Sequence, residues 1–114
     1  MRLSSACRRT SMKIEVISIP DCPNHRPTVD RVRALLSTEG VFADVKEVLV
    51  NSNSEARALR FIGSPTVRVN GKDVEAVAFA QAAVSCRIYG DGSGIPPENL
   101  LRQAIVSAAR EEHA

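Results

Sequence analysis

The chain has 114 residues, 44% of them apolar, enough for one hydrophobic core and too few for two. Its formal charge is +2, but Arg2, Arg8 and Arg9 fall within the first twelve residues, and the remainder carries twelve basic against thirteen acidic side chains, which excludes a basic nucleic-acid footprint. Three cysteines, an odd number with no apolar leader stretch, speak against a secreted disulfide framework and for a reducing cytosol, and no apolar run reaches the length of a bilayer crossing.

Residues 1–12 are rich in Arg and Ser and show no apolar period, so they read as a disordered extension ahead of a domain over residues 13–110, with 111–114 as a tail. Met12 stands directly before the first strand and is a plausible start of the chain; a targeting peptide is the rival reading of the stretch before it. Cys7, inside that extension, is not expected to do chemistry.

Lys13 to Ile19 has β-branched residues at 14, 16, 17 and 19, the composition of a buried central strand. There follows Pro20-Asp21-Cys22-Pro23-Asn24-His25-Arg26-Pro27, and then, from Thr28, apolar residues at 29, 32, 35 and 36 with the spacing of an amphipathic helix. Pro27 fits only the first turn of that helix, and Gly40 stops it. Cys22 therefore sits between a strand and a helix start, where unpaired N–H groups and the helix dipole favour a thiolate over a thiol. The plain alternative is an ordinary small residue in a connecting turn.

A second strand is expected from about Ala43 to Leu49, completing a parallel βαβ unit. Ser54 begins a short helical run whose apolar face is Ala58, Leu59 and Ile62, ended by Gly63. Ser64 to Val69 is an alternating strand led by Pro65, and Asn70-Gly71 signals a tight turn. The returning strand is either Lys72 to Val77 or, after an excursion over 73–85, Cys86 to Tyr89. The second is favoured because 76–83 is alanine-rich whereas 87–89 is β-like. Gly90 to Gly94 reads as a loop, and Pro96-Pro97 precedes a last helix with Leu100, Leu101, Ala104, Ile105 and Ala108 on one side.

This order, β-α-β-α-β-β-α, with a cysteine after the first strand and Gly63-Ser64-Pro65-Thr66-Val67 before the third, resembles the thioredoxin fold, a four-stranded mixed sheet flanked by helices. More narrowly, Cys22-Pro23-Asn24-His25, the run from Gly63 to Glu75 and Cys86-Arg87-Ile88-Tyr89 resemble small bacterial thioredoxin-like proteins, some called glutaredoxin-like and others alkylmercury-lyase-like. The resemblance implies a cis Pro65 beside Cys22, with Ser64, Pro65 and Thr66 binding substrate and the Thr66 backbone free to pair with an extended ligand. The parent family carries a second cysteine where this chain has His25, so a dithiol cycle within the motif is impossible. What remains is a monothiol route in which Cys22 attacks a disulfide and an external thiol resolves the product. No resident cofactor is implied; glutathione is the candidate co-substrate, and a small thiol or a protein disulfide the candidate partner. His25 holds Cys22 as a thiolate if charged, shuttles a proton if neutral, or is simply an exposed residue of the first turn.

Cys86 is the possible second thiol. If it opens a strand parallel to the first, it lies about 13 to 20 Å from the level of Cys22, against a Cα separation of about 4.4 to 6.8 Å in a disulfide. If an excursion carries it over the active edge, pairing becomes feasible; a buried small hydrophobe is the plain reading. Three functions stay open. One is thiol-disulfide chemistry through Cys22. Another is an alkylmercury-lyase-like or soft-metal role with two sulfurs from Cys22 and Cys86 and Asp21 or His25 as proton donor. The third is a non-catalytic adaptor that keeps the fold. A structural zinc site has no supporting ligand spacing, and the oligomeric state is not written in the sequence.

Overall fold

The computed structural model describes residues 12–75, 87, 89 and 92–113. Seven elements follow in the expected order: β1 (Lys13–Ser18), α1 (His25–Glu39), β2 (Asp44–Leu49), α2 (Asn53–Leu59), β3 (Thr66–Val69), β4 (Lys72–Asp73) and α3 (Glu98–His113). The sheet runs β2-β1-β3-β4. β1 pairs parallel with β2, from Lys13 opposite Asp44 to Ser18 opposite Leu49, and antiparallel with β3, from Ile14 opposite Val69 to Ile17 opposite Thr66. β1 is central and covered on both faces, which is why its sequence is apolar without strict alternation.

Ile14 and Val16 of β1 and Val67 and Val69 of β3 meet Val29, Val32, Leu35 and Leu36 of α1 and Leu101, Ile105 and Ala108 of α3 in one cluster. Burying each of the large aliphatic side chains contributes about 1.5–3 kcal/mol. On the other face Ile17 packs with Val50, Ala56 and Phe61 under α2. Met12 belongs to the first cluster, fully buried, and its carbonyl accepts from the Asp44 N–H, so order begins at least one residue before β1. Among the described residues no helix is long and apolar enough to cross a membrane.

Several local expectations shift. α1 begins at His25, four residues ahead of the apolar stripe, because its first turn faces the sheet edge with polar groups. Pro27 is then its third residue, still one of the positions that need no amide donor. Gly40, at φ 68°, closes the helix with its N–H on the Leu36 and Ser37 carbonyls, as expected. α2 starts one residue before Ser54 with Ser52 as its cap, Ser52 Oγ accepting from the Glu55 N–H at 3.2 Å, and it ends at Arg60 in the left-handed region rather than at Gly63. Its buried residue is Ala56, while Ala58 and Leu59 are exposed: a two-turn helix ends before a stripe ending at Ile62 can form, and Phe61 fills the core from the following turn instead.

The fourth strand is also corrected. The tight hairpin through Asn70-Gly71 supplies it, with Asp73 opposite Arg68 and Lys72 opposite Val69, in place of the 86–89 segment favoured from composition. Of the excursion expected over 73–85, residues 76–85 lie outside the described residues. Arg87, just beyond it, donates its backbone N–H to the Ser64 carbonyl at 2.9 Å.

Candidate functional site

Cys22 lies in the loop between β1 and α1, which the chain enters by a sharp turn with Asp21 in the left-handed region (φ 60°). It is half-buried and its sulfur is a free thiol. Asn24, the residue before α1, makes no side-chain cap, and the first turn holds no acidic residue. Within that turn the His25 N–H donates to the Cys22 carbonyl at 3.2 Å, the Thr28 N–H and hydroxyl both donate to the Asn24 carbonyl, and Pro27 has no donor. The Arg26 amide is left as the first-turn N–H without a protein acceptor among the described residues. The helix start thus offers the Cys22 loop one open amide rather than a ring of them.

The loop is walled by 92–97. Arg31 of α1 donates to the Pro96 carbonyl at 2.9 Å, and a Cβ added at Gly94 would overlap the Asn24 side-chain amide.

His25 is turned to the sheet. Ser18 Oγ is 2.6 Å from Nδ1 and Glu47 Oε1 is 2.7 Å from Nε2. The register explains the meeting: with Val16 opposite Glu47 and Ser18 opposite Leu49, Ser18 and Glu47 emerge on the face that carries α1. Arg26 adds a second contact to Glu47 at 3.5 Å. The hydrogen bond from His25 holds the Glu47 carboxyl below its ordinary value against an opposing effect of burial, with the charges of Arg26, His25 and Arg33 adding to the lowering. Both ring nitrogens are engaged away from the thiol, so the imidazole is built into the junction of α1, β1 and β2. It is not an exposed first-turn residue: its side chain is 18% exposed.

The second loop carries the Ser64–Pro65 peptide bond, which is cis as the resemblance implied. It is tied to the end of β1 by the Ile19 N–H, which donates to Ser64 Oγ at 3.1 Å, so it shares the sheet end from which the Cys22 loop leaves. The Thr66 backbone is not free as expected. Residues 63–67 are all buried, and Thr66 pairs with Ile17 while its hydroxyl donates to the Gly63 carbonyl at 2.6 Å.

What holds this loop was missed from sequence. Arg87 forms a two-pronged pair with Asp73 at 2.8 and 2.9 Å, donates to the Glu75 carbonyl at 2.7 Å and to Thr66 Oγ1 at 3.3 Å, and lies 4.3 Å from the ring centre of Tyr89. Burial pulls the guanidinium pKa down, but hydrogen bonding to Asp73 and the surrounding negative charge outweigh it and leave it raised. Tyr89 donates its hydroxyl to the Pro65 carbonyl at 2.5 Å, and burial pushes its own pKa up. Gly63, at φ 139°, passes so close to Arg87 that an added Cβ would stand 2.9 Å from Arg87 Cβ. Arg87 and Tyr89 sit within the quoted Cys86-to-Tyr89 motif, which was the available signal, but nothing in the sequence pairs them with Asp73 and Pro65.

Of the expected residues, the structure brings Cys22, His25 and the Ser64-Pro65-Thr66 segment to one end of the sheet. Cys86 lies outside the described residues. Its chain neighbour Arg87 donates its N–H to the Ser64 carbonyl. Among the described residues no group of three or more His, Cys, Asp or Glu is arranged to hold a metal ion.

No protein-family model matches the chain, and no curated protein matches it. Among solved structures, the solution structure of the oxidised thioredoxin from Plasmodium falciparum is similar, with a TM-score of 0.51 and 16% sequence identity over 92% of this chain and 88% of that one. Sheet order, a cysteine between β1 and α1, a cis-proline before β3 and this likeness together identify a thioredoxin-like fold.

Proposed function

We propose that the protein carries out thiol-disulfide exchange through Cys22 as its only motif thiol. The Cys22 thiolate attacks one sulfur of a disulfide and forms a mixed disulfide, and the other half leaves as a thiolate that takes its proton from solvent. An external thiol such as glutathione then attacks the mixed disulfide, leaving as half of a new disulfide and returning Cys22 to the thiolate. The observation that carries this reading is the placement of a half-exposed free thiol at an uncapped helix start, at the sheet end to which the cis-proline loop is tied. His25 occupies the place of a resolving cysteine and is held by Ser18 and Glu47, which favours an external resolving thiol. A reducing compartment such as the cytosol suits that cycle.

The test is release of glutathione from a small mixed disulfide by the reduced protein, with Cys22→Ser as the control. Turnover lost in the variant supports the proposal. A wild-type protein that neither turns over nor takes up a glutathione adduct refutes it, and partner capture unchanged in Cys22→Ser would point to an adaptor.

A further inference from the structure

An extended peptide docks on a strand by exchanging main-chain hydrogen bonds with it, so the strand must present open N–H and C=O groups. In the proline segment the Ser64 and Pro65 carbonyls are both taken. Pro65 has no N–H. The Ser64 carbonyl is taken by the Arg87 N–H at 2.9 Å, the Pro65 carbonyl by the Tyr89 hydroxyl, and Ser64 and Thr66 are wholly buried. Arg87 is fixed in turn by Asp73, the Glu75 carbonyl and Thr66, so the occupant is anchored at several points. Opening the strip for a guest would strand a buried guanidinium. We infer that the substrate of Cys22 is a compact disulfide or mixed disulfide reached through the Cys22 loop alone, and that Arg87 and Tyr89 set this specificity by occupying the strip that an extended peptide would use. This rests on the proposed thiol chemistry and adds the substrate class to it.

The probes are two mixed disulfides with the same leaving group, 5-thio-2-nitrobenzoate. One is on N-acetylcysteine amide and the other on the central cysteine of an uncharged nine-residue peptide. Attack by Cys22 forms its mixed disulfide with the cysteine compound and expels the coloured thiolate, so the intrinsic chemistry is the same and only the flanking main chain differs. With the reduced full-length protein, the peptide reacts no faster than the compact compound. An acceleration of about tenfold or more, equivalent to about 1.4 kcal/mol of docking, overturns the inference. In Tyr89→Phe, which frees the Pro65 carbonyl, the peptide-to-compact ratio rises; an unchanged ratio removes Tyr89 from the account. Colour release that survives in Cys22→Ser, or no release from either probe, refutes the underlying thiol reading and takes the inference with it, a pattern distinct from a fast peptide reaction.

Discussion

Removing the Asp73 carboxylate is the sharpest perturbation of the frame behind the proline segment. In Asp73→Ala the Arg87 guanidinium, whose side chain is 4% exposed, loses both prongs of its ion pair and keeps the Glu75 carbonyl, a 3.3 Å contact to Thr66 and the face of the Tyr89 ring. Breaking a buried pair from one side costs about 3–5 kcal/mol, because an uncompensated charge is left behind. Asp73 is itself 18% exposed and the Glu75 carbonyl stays in place, so the low end applies, about 3 kcal/mol. For a domain of this size that loss lowers Tm by on the order of 12–20 °C. Urea denaturation of wild type, Asp73→Ala, Arg87→Met and the double variant measures it at constant m-value. Arg87→Met in the Asp73→Ala background should restore part of the loss, since the stranded charge is gone. A single-variant cost under about 1 kcal/mol, the range of exposed pairs, refutes the reasoning.

Other consequences are as definite. His25→Ala should lower stability through the lost ties to Ser18 and Glu47 yet slow alkylation of Cys22 by less than about threefold, whereas a proton shuttle is worth about a hundredfold or more, so a loss of that size contradicts the arrangement. Because the folded Glu47 pKa lies below its ordinary value of 4.5, its contribution to stability is present above that value and is lost as pH falls through the folded pKa. The stability difference between wild type and Glu47→Gln, measured by denaturation across pH 3 to 7 (about the range in which carboxylates titrate), should therefore shrink toward acid; a gap that widens as pH falls would be the wrong sign. Gly63→Ala puts a Cβ against Arg87 at a left-handed φ and should cost roughly 1–3 kcal/mol in the same assay; a neutral substitution would show that the close approach is not enforced.

The parts of this fold written locally were legible in the chain. The β-branched run at 14–19, the 3.6-residue stripe from Val29 to Leu36, Gly40 as a stop and the Leu101–Ile105–Ala108 face each need only their own neighbours to be read. Asn70-Gly71 was also plain, but composition misplaced its strand: β4 is two residues long, too short to show a period, and the β-like Arg87 and Tyr89 serve the proline loop instead. At the site, Cys22 and Pro65 carried their own signal. His25 did not, because its role is set by Ser18 and Glu47, and that meeting exists only once the β1–β2 register puts both on one face. The Asp73–Arg87 pair spans fourteen residues with no periodicity to mark it. Charge alone said nothing of its burial.

The account turns on Cys22 being the sulfur that reacts and an outside thiol being the one that resolves it. Peptide-mapped mass spectrometry after brief exposure of the reduced protein to oxidised glutathione tests this most directly. The account predicts a glutathione adduct on Cys22 ahead of Cys7 and Cys86, removed on adding a reducing thiol. An unmodified Cys22 while another cysteine is labelled, or a bridge from Cys22 to Cys86, would contradict it.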